Sequence, residues 1–124
     1  MSPVRILLVD DDDLFAGAVG RFLNVLGYEV VRASNGKQAL KLYQPTAFSL
    51  VVTDLIMPDA EGLELIAKLH RAHPGAKIIA ISGGGRNRPD IYLPIAQKAG
   101  AMRTLAKPFP LAELQRAIED CLAA

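Results

Sequence analysis

The sequence carries only one cysteine, Cys121. An internal disulfide and a cysteine-cluster zinc site are therefore excluded. Its setting, IEDCLAA, puts Cys121 on the core side of a last helix, as a packing residue and not a reactive thiol. A charge excess is also lacking. The net charge is +1, and nothing in that balance calls for nucleic acid or an anionic membrane. No apolar run reaches membrane-spanning length. The first residues, one Arg and then a short apolar run, are too brief for a secretory leader. A soluble, cytoplasmic protein is the expectation. Linkers, internal repeats and low-complexity stretches are missing too. So is the G-x-x-x-x-G-K-[ST] phosphate loop, which argues against a bound nucleotide.

What is present suits one globular domain over residues 1–124. The 124 residues are 51% hydrophobic and 22% charged, enough to bury a core without disulfides. Apolar runs alternate with helical patterns. Val4 to Val9, Tyr28 to Ala33, Phe48 to Thr53, Lys77 to Ile81 and Met102 to Ala106 read as strands. Phe15, Val19, Phe22 and Leu26 recur at helical spacing and stop at Gly27. Ala39, Leu42 and Tyr43 give a short helical face, closed by Pro45. Leu63, Ile66 and Leu69 share a face that ends at His73-Pro74-Gly75. Ile91, Ile95 and Ala99 share another, with Pro94 inside it. An interior proline removes a hydrogen bond and crowds the preceding turn. That helix should be short, kinked or start near Pro94. Leu111, Leu114, Ile118 and Leu122 form the last, opened by Pro110.

Strands that read as unbroken apolar runs are buried on both faces, as in a parallel sheet covered by helices. Right-handed crossovers then give a doubly wound α/β fold. Ligands of such sheets bind beyond the carboxyl ends of the strands. Asp10, Asp11, Asp12 and Asp13 follow the first strand, Asp54 the third, Ser82 the fourth and Lys107 the fifth. If those strands are neighbours, one crevice collects carboxylates, a hydroxyl and an ammonium. Two unit charges 4 Å apart repel by roughly 4 kcal/mol at an effective dielectric near 20. The cluster therefore calls for a cation, and hard oxygen ligands favour Mg²⁺. Lys107 suits a phosphate as a movable point charge, and Ser82 can donate to a phosphoryl oxygen. The chemistry this predicts is phosphoryl transfer to a carboxylate.

The segments ILLVDDDD, VVTDLIMPDAEGLEL, IIAISGG and LAKPF also resemble, in order and spacing, the signatures of response-regulator receiver domains. The resemblance to this family of two-component signalling, chemotaxis regulators included, spans essentially the whole chain. It implies a flavodoxin-like five-stranded sheet of order 2-1-3-4-5 with five helices. It implies that Asp54 is the phosphoacceptor. Mg²⁺ would be held by Asp10, Asp11, Asp54 and the main-chain carbonyl of Ile56. Ser82 would be the switch hydroxyl and Lys107 the phosphate-sensing lysine. A cis peptide would fall between Lys107 and Pro108, where an X-Pro bond makes it accessible. The implied partners are a sensor histidine kinase or histidine phosphotransfer protein upstream and a protein target downstream. The target would dock on the fourth helix, fifth strand and fifth helix. The chain would be a monomer or weak dimer, a signalling phosphoacceptor and not an enzyme, with no output domain in residues 1–124.

Other readings use some of the same residues. Asp12 and Asp13 read best as a helix cap. A phosphate-independent interaction module would need none of the Asp10, Asp11, Asp54, Ser82, Lys107 set. A Mg²⁺-dependent phosphatase of haloacid-dehalogenase type would use Asp10 and Asp12 but leave Asp54 and Lys107 unexplained. His70 and His73 read as surface residues near a helix end, and Met57 as a packing residue. Gly83 to Gly85 read as a lid or switch loop with Arg86 and Arg88 exposed. Thr104 stands where the family often carries a switch aromatic. Ile56 and Gly84 flank the implied site and should set the lifetime of an acyl phosphate. Ile56→Asn is accordingly expected to change the decay rate of phosphorylated protein. A decay curve identical to wild type would contradict that role.

Overall fold

The computed structural model describes residues 4–55, 61–82 and 89–124. Five strands alternate with five helices. They are β1 (Arg5–Val9), α1 (Asp13–Val25), β2 (Glu29–Ala33), α2 (Gly36–Leu42) and β3 (Leu50–Asp54). Then come α3 (Glu61–Ala72), β4 (Ile78–Ser82), α4 (Pro89–Ala99), β5 (Arg103–Ala106) and α5 (Leu111–Ala123). All pairings are parallel, and the sheet order is β2-β1-β3-β4-β5.

The apolar runs are unbroken because the pleat sends alternate residues into two separate cores. Leu7, Val9, Val51, Ile78 and Ala80 pack with Ala39 of α2, Leu65, Ile66 and Leu69 of α3 and Ala96 of α4. Ile6, Leu8, Leu50, Val52, Ile79 and Ile81 pack with Ala16, Val19 and Leu23 of α1 and Leu114, Ala117, Ile118 and Cys121 of α5. Cys121 is buried as expected, and burial pushes its thiol pKa up, away from the reactive thiolate.

Several elements differ from the sequence reading in detail. Strands start one or two residues later than the apolar runs, since ordered backbone leads into them: the Ser49 N–H donates to the Arg5 carbonyl and that of Met102 to Ile78. Leu42 is exposed, whereas Ala39 is buried. Pro94 does not begin or shorten its helix; α4 runs eleven residues, Pro89–Ala99, with Pro94 inside. Pro89 opens it, in the first-turn position where a missing N–H costs nothing. Pro94 is exposed, so its ring lies toward water and not against the sheet. Among the described side chains of α4, Ala96 is buried and Ile95 is exposed. His70 is exposed, but His73 is half-buried, its ring 5.2 Å from that of Tyr43.

One glycine positions the start of α3 against the end of β3. A Cβ on Gly62 would strike the main-chain carbonyl of Asp54 and come within 2.5 Å of Leu55 Cα. Backbone meets backbone there, so neither side can rotate away. At Gly17 and Gly20 of α1, in contrast, an added Cβ would meet nothing within 4 Å. Gly62→Ala should destabilise the fold by about 1–3 kcal/mol through overpacking. Gly20→Ala should stabilise it by roughly 0.5–1 kcal/mol through helix propensity. Urea unfolding of the two variants checks both signs.

Candidate functional site

The site forms where parallel strands end and the following helices begin. The Asp10 N–H still donates to Ala33 of β2 at 3.1 Å, which ties the residue after β1 to the sheet. Its Oδ1 accepts the Asp12 N–H at 2.9 Å, a turn that short acidic side chains favour. Asp12 then caps α1, with Oδ1 accepting the N–H groups of Leu14 and Phe15, each at 3.1 Å. Asp13 lies in the first turn and pairs with Arg32 of β2. The cap reading of Asp12 and Asp13 therefore holds. Arg32 also donates through Nη2 to the Asp10 carbonyl at 2.9 Å, so it braces the acidic loop at two points.

Asp54 closes β3 and is buried, as is Asp10, while Asp11 is exposed. The Thr53 hydroxyl donates to the Asp54 carbonyl at 3.0 Å. One carboxylate oxygen from each of Asp10, Asp11 and Asp54 lies within 4.8 Å of the others. The cluster is all hard oxygen, and it could hold a metal ion of that preference. Lys107 follows β5 and reaches into the same place. Its Nζ is 3.5 Å from Asp10 Oδ2 and 3.6 Å from Asp54 Oδ2. Its N–H donates to the Ser82 carbonyl at 2.8 Å, which seats the lysine beside the end of β4. The Lys107–Pro108 peptide is cis. The Ser82 hydroxyl is buried with no hydrogen-bond partner among the described residues. Leaving such a group unpaired costs about 1–3 kcal/mol, a cost that a polar ligand at the site would remove.

Asp10, Asp11, Asp54 and Lys107 are thus brought together, and Ser82 adjoins Lys107 through the backbone. Ile56, Met57, Gly83 to Gly85, Arg86 and Arg88 lie outside the described residues. Thr104 sits half-buried in β5, paired with Ala80. Sequence reasoning missed two contributors. Arg32 offered a weak signal, as a charge inside an apolar strand. Phe15 offered none, because it fits a core stripe. Its ring centroid nevertheless lies 3.8 Å from Lys107 Nζ.

The sequence profile of the response regulator receiver domain matches residues 6–119. The chain belongs to that family. It is a receiver domain of the two-component signalling type. It is 35% identical over 122 residues to the response regulator receiver protein CpdR of Brucella abortus, covering 97% of this chain and 98% of that one. It is 33% identical over 121 residues to the transcriptional regulatory protein GlrR of Escherichia coli, covering 98% of this chain but 27% of GlrR. The receiver thus spans about a quarter of that relative's length. Among solved structures, the response regulator TrrA of Thermotoga maritima, in complex with Mg²⁺-BeF, superposes with a TM-score of 0.82 at 31% identity. That match covers 96% of this chain and 99% of TrrA. No helix among the described residues of the receiver is long and apolar enough to cross a membrane.

Burial pushes the Asp10 carboxyl above its ordinary pKa; the Asp12 N–H and Lys107 pull it down, and Asp11 pushes it up again. A raised acid pKa means the folded state binds more protons than the unfolded state between the two values. Stability therefore falls as pH rises through that window, and the charged form remains a cost above it. Asp10→Asn should raise the stability of metal-free receiver at neutral pH by roughly 0.5–2 kcal/mol. Thermal unfolding in chelator checks this; a lower midpoint would contradict it.

Proposed function

We propose that this receiver accepts a phosphoryl group on Asp54 in a Mg²⁺-dependent reaction and passes the signal on by docking. The observation that carries this reading is the convergence of three carboxylate oxygens within 4.8 Å, with the Lys107 ammonium beside two of them. Asp10, Asp11 and Asp54 would hold the metal, with the Ile56 carbonyl as a further ligand by family resemblance. When bound, Mg²⁺ supplies charge neutralisation to phosphate oxygens and carboxylates. That the similar response regulator TrrA is solved in complex with Mg²⁺-BeF supports a Mg²⁺-dependent reaction.

The chain's own residues account for the rest. An Asp54 carboxylate oxygen attacks phosphorus, forming an O–P bond. The bond from phosphorus to the donor breaks, and the donor leaves with the electron pair: acetate from acetyl phosphate, or imidazole, which takes up a proton, from phosphohistidine. Lys107 balances charge on the transferring group, and Ser82 donates its buried hydroxyl to a phosphoryl oxygen. Phosphorylation adds about −1.5 to −2 charges at neutral pH. Movement of Ser82 and Lys107 toward that charge would bias the surface of α4, β5 and α5. The receiver acts here as phosphoacceptor, on no separate substrate, with a sensor histidine kinase or histidine phosphotransfer protein as donor.

Intact mass after incubation with acetyl phosphate and Mg²⁺ tests the reading. A gain of one phosphoryl group is expected, lost in Asp54→Asn and in chelator. A folded wild type that gains no mass, with a kinase failing as well, would favour the phosphate-independent interaction module.

A further inference from the structure

We infer that Phe15 is a positioning residue for Lys107, holding the ammonium at the phosphoryl-transfer site; the inference rests on the function proposed above. The ring of Phe15 faces Lys107 Nζ at 3.8 Å from its centroid, well inside the range of a cation–π contact. Only 18% of the Lys107 side chain is exposed, so the contact is partly desolvated, where such attraction is stronger. Among the described residues, Nζ also lies near the Asp10 and Asp54 carboxylates. A ring attracts the cation without offering a lone-pair acceptor. It therefore leaves the N–H donors to the carboxylates and to an incoming phosphoryl group.

Phe15 is itself fixed from both sides of the site. Its backbone N–H is bonded by the Asp12 cap at 3.1 Å, in the loop that carries Asp10 and Asp11. Its ring stands T-shaped to that of Phe109, with centroids 6.2 Å apart and an interplanar angle of 86°, a favoured aromatic geometry, and Phe109 stands two residues past Lys107. The two loops that bring the acids and the lysine are thereby joined through one aromatic pair. An aliphatic side chain at position 15 would bury the ammonium without attracting it.

The test compares wild type, Phe15→Leu and Phe15→Tyr. The proton shifts of the Lys107 side chain are read by NMR, and phosphorylation by acetyl phosphate with Mg²⁺ is read by mass. The expected result is upfield ring-current shifts at the Lys107 ε-methylene in wild type and Phe15→Tyr, lost in Phe15→Leu. Phosphorylation should slow about three- to tenfold in Phe15→Leu and return to near the wild-type rate in Phe15→Tyr. An unshifted ε-methylene in wild type overturns the inference without any variant. So does a Phe15→Leu rate equal to wild type, or Phe15→Tyr slowed as much as Phe15→Leu. A wild type that takes no phosphoryl group instead defeats the underlying function, a different outcome from wild type reacting with Phe15→Leu unchanged.

Discussion

Crowding of like charge at one edge of the sheet is the constraint on which the site depends. Asp10 and Asp54 are buried with Asp11 beside them, and a single ammonium, that of Lys107, lies between two of the three. Removing ions from water is expensive unless they are paired. Among the described residues, the fold meets that demand through Lys107 and a hydrogen bond from the Asp12 N–H to Asp10. The cluster of carboxylate oxygens could hold a hard cation. Under the proposed function, such a cation and Lys107 together would make a place for an anionic group that neither the carboxylates nor the lysine would hold alone.

The rest of the architecture serves this arrangement. A parallel sheet puts every strand's carboxyl end on one edge, so β1, β3, β4 and β5 deliver their terminal residues to one crevice. The α1 cap turns the acidic loop so that Asp10 points inward while Asp12 satisfies helix N–H groups. Gly62 allows α3 to start directly behind the Asp54 carbonyl. Arg32 braces the first loop from the edge strand. Burial also disfavours the charged form of Asp10, a cost of the kind that functional sites commonly carry.

The sheet and most of the site were legible in the sequence because their signals are local. Strands buried on both faces read as apolar runs, and each run ends at the residue that matters: Asp10, Asp54, Ser82 and, after β5, Lys107. What was not legible depends on tertiary geometry. Helical spacing assigned Ala39 and Leu42 of α2 and Ile95 of α4 to the core, yet of these only Ala39 is buried; Leu42 and Ile95 are exposed, and in α4 Ala96 is buried. Pro94 signalled a break that its exposed position renders harmless. Phe15 looked like any core aromatic, since its partner Lys107 is distant in sequence and only the meeting of the first and last loops reveals the contact.

The most direct test of the account is a crystal structure of the chain with Mg²⁺ and beryllofluoride. The account predicts a metal ion on oxygens of Asp10, Asp11 and Asp54, with beryllium on an Asp54 carboxylate oxygen. Lys107 Nζ and Ser82 Oγ should lie within hydrogen-bond distance of fluorine. Beryllofluoride on another carboxylate, or a metal that leaves Asp54 untouched with Lys107 and Ser82 turned away, would contradict it.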